Sequence, residues 1–258
     1  MPAGVTIFNN NGNIQIDGTY SNLQVLGVEI HTLDEVSGRY GGGVYSPSGG
    51  WTYNALYIHA KSISVPSGTL IAGILGLDAN YVYNPTDIGK HSPTDNSDII
   101  TIRAFWNNSK APFPPSPGAP SVKVIFFGVG NDPIKEGKYL QIFNENQEQV
   151  FNAAKPTLRV YNHVAGNATI ETPPYPILQS ITKPTNKDIA VCASMSSYTR
   201  HFDEGMPGGM YDYFHGFSFN STSVDIVKYI FVLSRAQPFS AHLEQRIYSY
   251  LFVDVTGY

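Results

Sequence analysis

The chain has 258 residues, a net charge of −4 and 14% charged residues, well under the roughly 25% usual for soluble proteins. This balance offers no general electrostatic attraction for nucleic acid, and the lone cysteine, Cys192, excludes an intrachain disulfide. Neither a secretion signal nor a membrane span is expected, because the start lacks a basic and an apolar region and no apolar run approaches about 18 residues. The 24 Gly, 18 Pro, 17 Tyr and 14 Phe instead predict a turn-rich, all-β protein.

The opening, Val5-Thr-Ile-Phe-Asn-Asn-Asn-Gly-Asn-Ile-Gln-Ile-Asp17, reads as strand, polar turn and strand. It is echoed by Leu140-Gln-Ile-Phe-Asn-Glu-Asn-Gln-Glu-Gln-Val-Phe-Asn152. Residues 7 and 142, and likewise 23 and 158, stand 135 positions apart, and that one register places Ile7 on Ile142, Phe8 on Phe143, Leu23 on Leu158 and Val25 on Val160. An internal repeat of this kind predicts two tandem antiparallel β-sandwich domains related by duplication, residues 1–133 and 134–258. Their boundary is expected in the turn-rich stretch Gly130 to Gly137.

Gly4, Val5, Ile7, Phe8, Asn9, Gly12, Ile14, Ile16, Asp17, Leu23 and Val25 together resemble the start of short phage tail proteins: an apolar strand ending in Phe-Asn, a polar turn with Gly, a strand closing on Asp, then Leu-x-Val. The second copy departs from the pattern, with Gln147 at the place of Gly12 and Asn152 at that of Asp17. The resemblance implies a virion structural protein of the tail tip or tail fibre, assembled in the host cytoplasm and active in host recognition. Its partners would be other tail proteins and a host cell-surface receptor, with a glycan as one candidate class. A carbohydrate-binding module and a polysaccharide-degrading enzyme are the alternatives.

Further along, Ser37 to Tyr53 mixes Gly and Ser with Tyr40, Tyr45, Trp51 and Tyr53. Adaptable backbone beside large rigid rings is the composition of recognition loops, and a long hairpin packed on its own domain or a neighbouring subunit has the same composition. The alternation in Trp51 to His59 and in Ile99 to Trp106 predicts half-buried strands, whereas the unbroken Val124-Ile-Phe-Phe predicts a central strand covered on both faces. Between these lies Ala111 to Pro120, whose prolines predict a stiff extended crossover. No phosphate loop is present, since neither the triplet Gly41 to Gly43 nor Gly89-Lys90 continues into Lys-Ser/Thr.

In the second half Leu70-Ile-Ala is answered by Asp188-Ile-Ala, and Cys192 falls in an apolar run as an inert buried thiol. The segment His201 to His215 holds His201, Asp203, Glu204, Asp212 and His215 around a Gly-Pro-Gly-Gly centre. Their spacing fits no metal motif, so no metal, cofactor or catalytic residue is assigned; an enzyme would use Glu204 as acid and Asp212 as nucleophile or base. Tyr211, Tyr213, Phe214 and His215 are instead expected, with Tyr40, Tyr45, Trp51 and Tyr53, at subunit or receptor contacts. Ser240 to Leu251 fits a short C-terminal helix, with Leu243, Ile247, Tyr250 and Leu251 at helical spacing, whereas Tyr248 to Val255 is aromatic and β-branched enough for a strand. Aromatic residues form 13% of the chain, nearly equal to its charge, which predicts apolar area left over for a homo-oligomer, threefold by resemblance to tail fibres.

Overall fold

The computed structural model describes residues 6–8, 14–17, 23–35, 41–45, 51–55, 58–86, 99–106, 118–129, 141–143, 149–152, 156–167, 177–195, 198–203, 209–233, 244–245 and 247–258. All regular structure among them is strand: β1 (Thr6–Phe8), β2 (Ile14–Asp17), β3 (Gln24–Thr32), β4 (Asp34–Glu35), β5 (Gly41–Tyr45), β6 (Trp51–Ala55), β7 (Ile58–Ser64), β8 (Thr69–Gly76), β9 (Tyr81–Thr86), β10 (Ile99–Trp106) and β11 (Ser121–Gly128). Then follow β12 (Gln141–Phe143), β13 (Gln149–Asn152), β14 (Val160–Asn167), β15 (Ile177–Thr182), β16 (Ile189–Met195), β17 (Tyr198–Asp203), β18 (Gly209–Phe219), β19 (Ser223–Leu233), β20 (Glu244–Gln245) and β21 (Ile247–Asp254). Among the described residues no helix is long and apolar enough to cross a membrane.

Two antiparallel sheets make the body. The six-stranded sheet has the order β14-β21-β16-β8-β11-β3, and the nine-stranded sheet the order β15-β19-β18-β9-β10-β7-β4, with β17 and β20 added beside β18. The two halves of the chain meet edge to edge in both. In the first sheet Ile74 of β8 stands opposite Val191 of β16, and in the second Tyr83 and Val82 of β9 stand opposite Phe217 and Ser218 of β18. From each junction outward the orders mirror each other: β8-β11-β3 against β16-β21-β14, and β9-β10-β7 against β18-β19-β15. One core lies between the sheets, including Ile74, Tyr83, Ile102, Val124, Val191, Phe217, Tyr250 and Phe252. The expected domain boundary at Gly130 to Gly137 lies outside the described residues.

Local chemistry accounts for the paired elements. The hairpins β1–β2 and β12–β13 share one register: Ile7 pairs with Ile16 and Phe8 with Ile14, Ile142 with Phe151 and Phe143 with Gln149, each with an irregularity between its first Ile and Phe. A second likeness joins β7 to β8 and β15 to β16. Pro66-Ser-Gly-Thr69 and Pro184-Thr-Asn-Lys187 each close with the fourth N–H donating to the proline carbonyl, at 3.1 and 3.2 Å. The third residue is left-handed in both, Gly68 at φ 82° and Asn186 at φ 59°, the two residue types that tolerate that region best. Leu23 and Leu158 also come together, since Leu158 N–H donates to Leu23 O at 2.8 Å and both pack against the core.

The C-terminal stretch resolves its two readings in favour of the strand. Ile247–Asp254 lies between β14 and β16, where Tyr250 and Phe252 enter the core. Backbone pairing on both sides outweighs a helical spacing available to one face alone. β11 is the doubly covered central strand expected of its apolar run, with Val124, Ile125, Phe126 and Phe127 fully buried between β3 and β8. Beyond β21 the chain is held by Asp254, which accepts from Lys187 Nζ at 2.9 Å and from Thr256 N–H at 3.0 Å. Arg159 lies 3.8 Å from the same carboxylate and over the Tyr258 ring. Burial pulls the Asp254 pKa upward, but these hydrogen bonds and the Arg159 charge prevail and hold it at about 2.

Candidate functional site

The strands β18 and β19, 11 residues each, outgrow the sandwich. β9 pairs with β18 at Phe217 and Ser218; from Phe214 back to Gly209 the same edge is taken by β17, to which β20 adds. Gly216 sits at the handover because the backbone of β18 passes against Val82, whose side chain a Cβ at this position would overlap. The result is an extension of the sheet made of β20, β17, β18 and β19. β5 of the β5–β6 hairpin, a separate two-stranded sheet, contacts β19, which pairs with β18, so the two aromatic segments of the sequence come near each other.

In the hairpin Tyr45 pairs with Trp51, Gly43 with Tyr53 and Gly41 with Ala55. In the extension Tyr211, Tyr213 and Phe214 pair with Val232, Ile230 and Tyr229 of β19. Tyr40 lies outside the described residues, as does Glu204.

His201 pairs with Tyr211 and Asp212 with Arg200. Asp203 in turn pairs with Gly209. Among the described residues no group of three or more His, Cys, Asp and Glu is placed to hold a metal ion.

His215 requires a correction. It was expected at a contact surface, yet it is 1% exposed, because its parity is that of Phe217 and Phe219, which enter the core. Its Nδ1 lies 2.9 Å from the Tyr250 hydroxyl on the facing sheet. Its ring meets Tyr248 edge-on at 4.8 Å, and Tyr248 stacks on Tyr250 at 5.3 Å. Asn84 Nδ2 donates to the His215 carbonyl at 2.6 Å. His215 is thus the root that ties the extension to both sheets. At the far end of β18, Asp225 anchors the β18–β19 turn by accepting from Ser180, Ser223 and Asn220 at 2.5, 3.0 and 2.6 Å.

A second interior histidine was not singled out from the sequence. His59 of β7 is 2% exposed, with neither ring nitrogen hydrogen-bonded. It packs edge-on to Tyr81 at 5.6 Å, and Tyr81 in turn meets Trp106 at 5.2 Å. Burial lowers its pKa, opposed in part by the Glu35 carboxylate and the Leu33 backbone. Cys192 is fully buried, and burial pushes its thiol up to about 12, which leaves it protonated and inert.

Comparison of the chain with family models, curated proteins and solved structures gave no significant match to any of them.

Proposed function

We propose that the chain is a structural protein of a phage tail tip or tail fibre, which holds its place in the virion through the sandwich and recognises the host surface through the aromatic end of the nine-stranded sheet. The observation that carries the reading is the nearness of two aromatic segments distant in sequence: β5, whose hairpin holds Tyr45, Trp51 and Tyr53, contacts β19, and β19 pairs with Tyr211, Tyr213 and Phe214 of β18. Aromatic residues suit a receptor with apolar faces and hydroxyl edges, such as a surface polysaccharide, because stacking costs little side-chain entropy. The N-terminal likeness to short tail proteins supports the virion setting. We also propose that the chain arose by duplication of one unit and that it works as a homo-oligomer, threefold in the tail-fibre setting. The shared hairpin register, the matching Pro-x-Gly/Asn turns and the mirrored strand orders support the first.

Binding of the purified protein to host cells and to their extracted surface polysaccharide tests the recognition role. Replacing Trp51 and Tyr53 by alanine, and separately Tyr211 and Tyr213, is expected to weaken binding at least about tenfold, or roughly 1.4 kcal/mol, without lowering the melting temperature by more than a few degrees. Full binding by both variants would refute it.

A further inference from the structure

We propose that His59 makes the short pairing of β4 with β7 an acid-opened latch at the edge of the nine-stranded sheet. The latch is small: β4 pairs with β7 through two residues, Asp34 opposite Ala60 and Glu35 opposite His59. A neutral imidazole suits the site as it stands, edge-on to Tyr81 and near the Leu33 backbone, because an uncharged ring is far cheaper to bury there than a cation.

Protonation removes that fit. The imidazolium carries two N–H donors, one more than the neutral ring, and a charge; neither ring nitrogen is hydrogen-bonded as the structure stands, and the Leu33 backbone and the Glu35 carboxylate are the groups that favour the charged form. The groups around it are few. Glu35, across the strand pair, is exposed. Asp34 is engaged with Lys61 at 3.5 Å, and Lys61 also donates to Thr32 O at 3.3 Å. Tyr81 cannot serve as an anion, since burial, with the Asp78 charge, raises its phenol to about 12 and it donates to Gly118 O. Arg103 of β10 pairs with Ala60 and is exposed on the opposite face from Ala104 and His59. The charged ring is therefore accommodated either by Glu35 turning inward or by β4 lifting from β7 so that water reaches the imidazole. Both alter the same two-residue pairing, and a short edge strand is where such opening is cheapest.

The sign is fixed by burial of the neutral form. A folded-state pKa below the unfolded value near 6.5 means that the unfolded or opened form binds more protons, so the latch is fully closed above about pH 6.5 and weakens as pH falls. Amide hydrogen exchange of residues 34–35 and 58–60, expressed as protection factors, tests this. In the native protein, protection there is expected to drop at least about tenfold between about pH 7.5 and about pH 5, while that of β11 and β21 is retained. His59→Phe is expected to abolish the drop, and Glu35→Gln to deepen it by removing the nearest compensating charge. An equal drop in His59→Phe, or no drop in the native protein, overturns the proposal. Should His59→Phe fail to fold, the imidazole of the native protein is followed by NMR: titration below about pH 6.5 in step with the loss of protection supports the latch, and titration at or above it, or protection that does not follow it, overturns it.

Discussion

Asp254 shows what a single well-placed charge does for the end of this chain. Its carboxylate joins the turn before β16, through Lys187, to the last residues, through the Thr256 N–H, with Arg159 bridging onto Tyr258. A carboxyl held at about 2 in the folded state and near its ordinary value of 3.8 when unfolded contributes about 2 kcal/mol at neutral pH. That contribution is complete above about pH 4 and is lost as pH falls through about 2. Asp254→Asn is expected to lower the stability measured by urea unfolding by about 2 kcal/mol at pH 7, and by much less near pH 2, where the native carboxyl is itself protonated. At this scale the sequence was legible where a residue sat in an unbroken apolar run, as Cys192 does. It was misleading at His215, where aromatic neighbours suggested a surface loop. Extending the alternation of Phe217 and Phe219 by one more step would have turned His215 inward. His59 carried a weaker signal, since nothing in Tyr57-Ile-His-Ala-Lys tells which parity faces the core.

Among the elements, β8 shows how tightly the two sheets close on each other. Gly76 lies under Tyr83 and Phe219, such that a Cβ there would overlap the Tyr83 ring and stand 2.7 Å from Phe219. These two rings are themselves edge-on at 5.9 Å. Gly76→Ala is expected to cost roughly 1–3 kcal/mol through displaced aromatic rings, read as a fall in the melting temperature. The hairpins at both openings and the central β11 were readable from local pattern, because turn residues and apolar runs act over a few positions. The C-terminal segment was not, because Leu243, Ile247, Tyr250 and Leu251 fit a helix as well as Tyr248 to Val255 fit a strand. What decides between them is the pair of neighbours, β14 and β16, that tertiary structure places on either side of β21.

For the whole molecule, duplication in the sequence pointed to two sandwiches, and the structure joins the two halves into continuous sheets around one core. In the six-stranded sheet the sign of this lies in what the junction strands lack. β8, Thr-Leu-Ile-Ala-Gly-Ile-Leu-Gly, and β16, Ile-Ala-Val-Cys-Ala-Ser-Met, carry no charge at all. Strands left at an open edge are usually guarded by charge or proline, as the outer strand β3 is by Glu29 and His31. In the function proposed above, this two-sheet body would carry the aromatic strands β5, β6 and β18 toward a host surface. Immunogold labelling of intact phage particles with antibody raised against this chain tests that account most directly. Gold confined to the tail tip or fibres is the predicted result. Particles that carry no label while the chain is found free in the lysate would contradict it.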